Sequence, residues 1–206
     1  MRPVGTTPAY AALGDSLLKA GCIQFGSFKL KSGVTSPIYV DLRRLVSYPA
    51  VLEQVGAAYI PVLRSLTFAR LAALPYAALP IAAVIALKGN YPVIYPRKEV
   101  KDYGTMAEIE GVFHAGETVA VVDDIATTGG SKLEAIEKLK TAGLVVRDIV
   151  VLVDRESGAK QALTQAGYAL HSVMSLGQLL DHYDRQLMVD ADRIAEAREF
   201  LARTNA

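Results

Sequence analysis

Val121-Val122-Asp123-Asp124-Ile125-Ala126-Thr127-Thr128-Gly129-Gly130-Ser131-Lys132 is the stretch from which the fold can be read. It begins in a continuously apolar run, residues 119–122, of the kind found in strands buried on both faces. It ends in a helical pattern over 131–142, with Gly143 as its C-cap. Small and hydroxylated residues lie between the two. A strand, a tight turn and a helix form the repeating unit of a parallel sheet. In open sheets of that kind, ligands bind beyond the carboxyl ends of the strands. Glycines let backbone N–H groups approach an anion closely. The first turn of the helix adds unpaired N–H groups and the positive end of its dipole. With the hydroxyls of Thr127, Thr128 and Ser131, the segment suits a phosphomonoester.

Asp123 and Asp124 stand at the mouth of this turn. Neighbours on a strand project differently, so the two are not expected to share a proton. Carboxylates repel a phosphate, but they fit a site where sugar hydroxyls donate to them or a cation stands near. A ribose 5-phosphate satisfies both halves of the segment. Composition alone also allows a plain strand end with a polar turn and a capped helix. The glycine and lysine spacings of a Walker loop or a GxGxxG fingerprint are absent.

Working outward, helices are expected at 9–20, 49–66 and 80–87, with Pro49 in a first turn and Pro61 placed to kink the second helix. Strands are expected at 28–31 and 38–41 around the turn 32–35, then at 71–74, 93–95, 119–122 and 149–153. Ser175 and Gln178 form a capping-box pattern before Leu179, Leu180 and Tyr183. Residues 190–203 read as an amphipathic helix with Ile194, Ala197 and Leu201 on one side. Alternating strands and helices make this an α/β chain, with a central, mostly parallel sheet flanked by helices. No repeat or low-complexity linker divides it, so one domain over 1–206 is expected.

The chain has 206 residues, about half of them apolar, and 22 basic against 21 acidic side chains. Such a balance does not point to a nucleic-acid-coating protein, and no nucleic-acid partner is expected. Cys22 is the one cysteine, which excludes an internal disulfide and fits a reducing, cytoplasmic setting. No signal-peptide pattern opens the chain. Residues 71–87 carry no formal charge, but they are short for a membrane span and are broken by Pro75 and Pro80. A buried strand, a turn and a buried helix account for them better, and no membrane association is expected.

The acidic pair followed by Ile125-Ala126-Thr127-Thr128-Gly129-Gly130-Ser131 resembles the phosphoribosyl pyrophosphate (PRPP) signature of type I phosphoribosyltransferases. The resemblance implies that Asp123 and Asp124 hold the ribose 2′- and 3′-hydroxyls and that the loop through Ser131 holds the 5′-phosphate. Three further segments resemble the orotate phosphoribosyltransferases in particular. Around Lys31-Ser32-Gly33 and Ser36-Pro37-Ile38-Tyr39-Val40, the resemblance puts Lys31 on the pyrophosphate side of PRPP. It puts Tyr39 and Val40 against orotate. The stretch Pro96-Arg97-Lys98-Glu99-Val100-Lys101-Asp102-Tyr103-Gly104 resembles the family's mobile catalytic loop. Arg97, Lys98 and Lys101 then become catalytic, pyrophosphate-binding cations, and the loop is expected to reach the neighbouring subunit of a homodimer. Three cations within five residues have the charge to stabilise departing pyrophosphate. Val153-Asp154-Arg155-Glu156-Ser157-Gly158 supplies Arg155, which the resemblance assigns to orotate together with Thr127.

Tyr76 and Tyr103 are counted with the PRPP-binding residues. Ala77 stands where many bacterial members carry a lysine, and Tyr103 where they often carry a histidine. In these details the chain is similar to the transferase half of bifunctional UMP synthases. The implied architecture is the type I fold, with a small N-terminal hood over about 1–48 and C-terminal helices over about 175–206. Mg2+ is the implied cofactor, bound mainly through PRPP and water with no direct protein ligand. Two other readings stay open: a phosphoribosyltransferase for another base, or a PRPP-binding regulator on the same fold. His114, His171 and His182 lack metal-site spacing and read as structural or surface residues.

Overall fold

The structure, a computed structural model, describes residues 8–30, 33–98 and 108–204. Helix α1 (Pro8–Lys19) leads into an antiparallel pair, β1 (Ile23–Lys29) and β2 (Thr35–Val40). A short 3-10 helix, Leu42–Ser47, precedes α2 (Pro49–Leu63), with Pro49 in its first turn. There follow β3 (Arg70–Ala73), α3 (Ala78–Gly89), β4 (Val93–Pro96), β5 (Ile109–Glu110), β6 (Thr118–Ala126) and α4 (Gly130–Thr141). The remaining elements are β7 (Val145–Asp154), α5 (Ala159–Gln165), β8 (Ala169–Ser175), α6 (Leu176–Arg185) and α7 (Ala191–Thr204). The central sheet runs β5-β4-β3-β6-β7-β8 and is parallel except for β5.

The period of two along β6 and β7 builds the layers. Ala120, Val122, Val150 and Leu152 join one apolar cluster with α2, α3, the N-terminal hairpin and the C-terminal helices. Val119, Val121, Ile149 and Val151 face the other way, toward α4 and α5. Helices therefore cover both faces, as the uninterrupted valine runs require. The uncharged stretch 71–87 becomes β3, a turn and α3. Among the described residues, no helix is long and apolar enough to cross a membrane.

Several boundaries differ from the sequence expectation. β6 continues four residues past Val122, because Asp123, Ile125 and Ala126 keep pairing with Val151, Val153 and Asp154 of β7. The acidic pair is thus on the strand itself, ahead of the loop as expected. α2 ends at Leu63, short of Leu66. β5, α5 and β8 were not expected at all. Each lacks a clear period: two residues in β5, seven in α5, and in β8 a buried pair, Val173-Met174, that breaks alternation.

Strand order places the site. The chain leaves β3 toward β4 on one side, whereas β6 lies on the other, so the order reverses between β3 and β6. A crevice opens at such a switch point beyond the carboxyl ends of both strands. The capping box at α6 is formed as expected: Gln178 N–H donates to Ser175 Oγ at 3.2 Å, and Ser175 N–H donates to Gln178 Oε1 at 2.8 Å. Ser175→Ala should cost about 1 kcal/mol and lower the melting temperature by about 2–4 °C. Thermal unfolding of the variant beside the parent checks this.

Candidate active site

Asp123 is fixed from three directions. Its Oδ2 accepts from Lys132 Nζ at 2.7 Å and its Oδ1 from the Asp124 N–H at 2.9 Å. Its carbonyl accepts from the Tyr59 hydroxyl at 2.7 Å. Tyr59 is fully buried on α2. Burial first, then the charges of Asp124 and Asp123, push its phenol well above the ordinary range, so the hydroxyl keeps the proton it donates. Lys132 is only 2% exposed, and it also donates to the Ile125 carbonyl at 2.6 Å.

The turn after β6 presents backbone rather than side chains. Gly129 precedes α4 in the left-handed region, at φ 88°, and no side chain caps the helix. The first N–H groups of α4 therefore lack a side-chain acceptor. A Cβ on Gly130 would meet open space, so the approach to these groups is clear. Thr128, Gly130 and Ser131 are exposed, Thr127 is half-buried, and Ala126 and Gly129 are buried. The Arg155 N–H donates to the Ala126 carbonyl at 2.9 Å, and the Ala159 N–H donates to the Thr127 carbonyl at 3.0 Å. The loop after β7 is thus tied to the loop after β6. Arg155 Nε is buried and has no hydrogen-bond partner, and burial lowers the pKa of its guanidinium.

A cavity of about 130 Å³ lies between the ends of β3 and β4 and the start of α4. Arg97, Lys98, Lys138, Asp123 and Ser131 contribute to its wall. Arg97 pairs with Glu110 across the β4–β5 hairpin, and its carbonyl accepts from Lys138 Nζ at 3.2 Å. Lys98 Nζ stands 5.0 Å from the ring centroid of Tyr76, which is 62% exposed. Of the expected site residues, the structure gathers Asp123, Asp124, the loop from Ile125 to Ser131, Arg97, Lys98, Tyr76 and Arg155 around the switch point. Tyr39 and Val40 lie on β2, where Tyr39 stacks on Phe28 at 5.3 Å and accepts from Arg43. Among the described residues, no hydrogen bond joins either to the β6 loop. Lys31, Lys101 and Tyr103 lie outside the described residues.

Sequence reasoning passed over Tyr59, Glu110, Lys132 and Lys138. A signal existed for Lys132: it shares a helical face with Ile136 and Leu139, and a charge on an apolar face implies a buried partner. The histidines lie apart. His171 pairs with Asp148 at 2.8 Å, His182 with Asp15 at 2.6 Å, and the backbone N–H of His114 donates to Glu117. Among the described residues, no group of three or more His, Cys, Asp or Glu side chains is placed to hold a metal.

No family model matches the chain. The bifunctional enzyme PyrF/PyrE of Nostoc sp. is 46% identical over 183 residues, 89% of this chain and 37% of that protein. The orotate phosphoribosyltransferase of Natronomonas pharaonis is 39% identical over 166 residues, 81% of this chain and 94% of that protein. Among solved structures, UMP synthase of Leishmania donovani superposes with a TM-score of 0.87 at 47% identity. That match covers 94% of this chain and 42% of the Leishmania chain. The chain thus spans well under half the length of the bifunctional curated relatives it matches.

The two aspartates are electrostatically unequal, and the charge of one acts on the other. Burial first, then the Asp123 charge and hydrogen bonding to Asp123, push Asp124 up to about 7, while the Lys132 charge acts in the opposite sense. Asp123 has that ammonium as a direct partner, and Asp124 has none. In the unfolded chain Asp124 titrates near about 4. Its raised folded value stabilises the fold fully below that pH, and the stabilisation is lost as pH rises toward about 7. Asp124→Asn removes the titration. The variant should melt above the parent at pH 8, by at most about 4 kcal/mol, and the gap should narrow by pH 5. A gap independent of pH would contradict the coupling.

Proposed function

We propose a chemistry for a chain that belongs to the orotate phosphoribosyltransferase family: it joins N1 of orotate to C1 of the ribose of PRPP. The products are orotidine 5′-monophosphate and pyrophosphate, and the step serves UMP biosynthesis. The observation that carries the choice of base is Arg155. A buried guanidinium nitrogen with no partner calls for an anion, and a planar guanidinium matches a carboxylate through two parallel hydrogen bonds. Orotate brings such a carboxylate, whereas adenine, hypoxanthine and uracil do not.

The other roles follow from the same crevice. The N–H groups at the uncapped start of α4, with Thr127, Thr128 and Ser131, receive the 5′-phosphate. Asp123 and Asp124 accept from the ribose hydroxyls. Hydroxyl donors favour the charged form, so sugar binding draws the Asp124 proton off. Thr127 and Arg155, on two loops tied by the Arg155 N–H to Ala126 and Ala159 N–H to Thr127 hydrogen bonds, face the base, with Tyr39 and Val40 of the hood completing that side.

Orotate arrives as an anion, so little acid–base work is required. Displacement at the anomeric carbon passes through an oxocarbenium-like state, as in glycosyl transfer generally. Positioning and stabilisation of departing pyrophosphate then supply the rate. Lys98 beside Tyr76 and Arg97 beside Glu110 border the cavity next to Asp123, where the pyrophosphate fits. Lys31, Lys101 and Tyr103 are assigned to the same side by the family pattern. Mg2+ carried by PRPP supplies further neutralisation of the pyrophosphate, held through substrate oxygens and water. The proposed working form is a homodimer that shares the Lys101 loop between subunits, in a cytoplasmic setting consistent with the buried thiol of Cys22.

With PRPP and Mg2+, the protein should consume orotate and leave adenine, hypoxanthine and uracil unused, read as loss of orotate absorbance. Faster turnover of any of the other three would reject the assignment, and no turnover of any base would favour a regulator. Lys101→Ala should lower kcat about a hundredfold, equivalent to about 3 kcal/mol of transition-state stabilisation, with the melting temperature almost unchanged. After subunit exchange, Lys101→Ala mixed with Asp124→Asn protein should regain part of the activity. Absence of recovery argues against a shared loop.

A further inference from the structure

The Lys132 ammonium is in an unfavourable place. It is 2% exposed, and a buried ammonium costs several kcal/mol unless it is well paired. It also sits in the first turn of α4, where the helix dipole disfavours a cation. It donates to Asp123 Oδ2 and to the Ile125 carbonyl, both at the carboxyl end of β6. A buried ion pair contributes little to stability compared with apolar side chains of the same size. The pair does, however, confine a carboxylate to one orientation. The other Asp123 oxygen takes the Asp124 N–H, and Tyr59 holds the Asp123 carbonyl from the opposite side of the strand.

We infer that Lys132 is a positioning residue that acts through Asp123, holding its carboxylate oriented to accept a ribose hydroxyl of PRPP. The inference rests on the proposed role of the acidic pair as the ribose acceptor. Without the ammonium, Asp123 loses the partner on Oδ2, is free to rotate, and lies beside Asp124 with no cation between them. The same charge opposes the rise of Asp124, so its loss further favours the neutral form of that carboxyl. The hydroxyl contact is made in the ground state and kept in the transition state. Its loss therefore weakens PRPP binding and leaves the chemical step nearly intact.

The test compares the parent, Lys132→Met, Asp123→Asn and the double variant. PRPP affinity is measured by calorimetry with Mg2+, and KM and kcat by steady-state assay. Lys132→Met should weaken PRPP binding and raise its KM by about tenfold or more, as expected for one charge-assisted contact. The kcat at saturating PRPP and the KM for orotate should stay within about threefold. In the double variant the charge of the pair is removed from both sides, and its PRPP affinity should match that of Asp123→Asn within about threefold. A merely structural role predicts a lower melting temperature and a smaller active fraction at unchanged PRPP KM, which would overturn the inference. Additive losses in the double variant would overturn it too. Should Lys132→Met fail to fold, the comparison of Asp123→Asn with the double variant decides alone. Failure of the parent itself to bind PRPP rejects the site reading beneath the inference. Normal binding by Lys132→Met, with a defect in Asp123→Asn, rejects the inference and leaves that reading standing.

Discussion

The parallel pairing of β3 with β6 carries the architecture. Four register pairs, Arg70–Val119 through Ala73–Val122, join two strands whose onward connections run in opposite directions. At the amino end of the pair, Arg70 grips Glu117 through two nitrogens, with Nε at 2.6 Å from Oε2. That bidentate contact fixes the strands against sliding. At the carboxyl end the last bond runs from the Leu74 N–H to the Val122 carbonyl, and beyond it Leu74 and Asp123 border the cavity. The same pairing thus keeps its stabilising groups at one end and its chemistry at the other. The side chains proposed to meet PRPP there come from the carboxyl end of β6 and from segments that follow strands of the sheet.

Within the crevice, charge is distributed by burial as much as by residue type. Asp123 and Asp124 are chemically identical, yet one is matched by a buried ammonium and the other is not. Arg97 and Arg155 likewise differ: Arg97 has Glu110 as a partner, whereas Arg155 keeps a nitrogen unmatched. Unmatched groups in a folded protein cost stability. Here they lie where the two proposed substrates would match them, orotate through its carboxylate and PRPP through its ribose hydroxyls. The start of α4 belongs to the same pattern, since Gly129 at its N-cap offers no side-chain acceptor to the first N–H groups.

Much of this was legible in the residues because the periods are strong. The valine run before Asp123, the small residues after it and the Gly143 cap located β6, the loop and α4 to within a few residues. The capping box at Ser175 and Gln178 was read without loss. What escaped depends on partners distant in sequence. The extension of β6 through Ala126 is set by pairing with β7, and no local propensity of Asp123-Asp124 announces it. β8 was missed because an edge strand with Val173 and Met174 both buried has no clean alternation. In α5, seven residues are too few to show a helical period. Lys132 was visible as a letter but not as an interaction, since its partner lies on the preceding strand, nine residues back. The pairing of Arg97 with Glu110 was not legible for the same reason: Glu110 lies on the partner strand β5.

The two backbone hydrogen bonds that tie the loop after β7 to the loop after β6 have a thermodynamic consequence. Arg155 N–H to the Ala126 carbonyl and Ala159 N–H to the Thr127 carbonyl make one mechanical unit of the segments proposed to face the base and the phosphate. Any adjustment of the phosphate loop on ligation is carried into the main chain that aims Arg155. Reciprocity then holds in both directions. In the proposed complex, whatever factor PRPP contributes to the affinity for orotate, orotate would return to the affinity for PRPP, so the free energies of filling the two proposed halves of the crevice would not be separable.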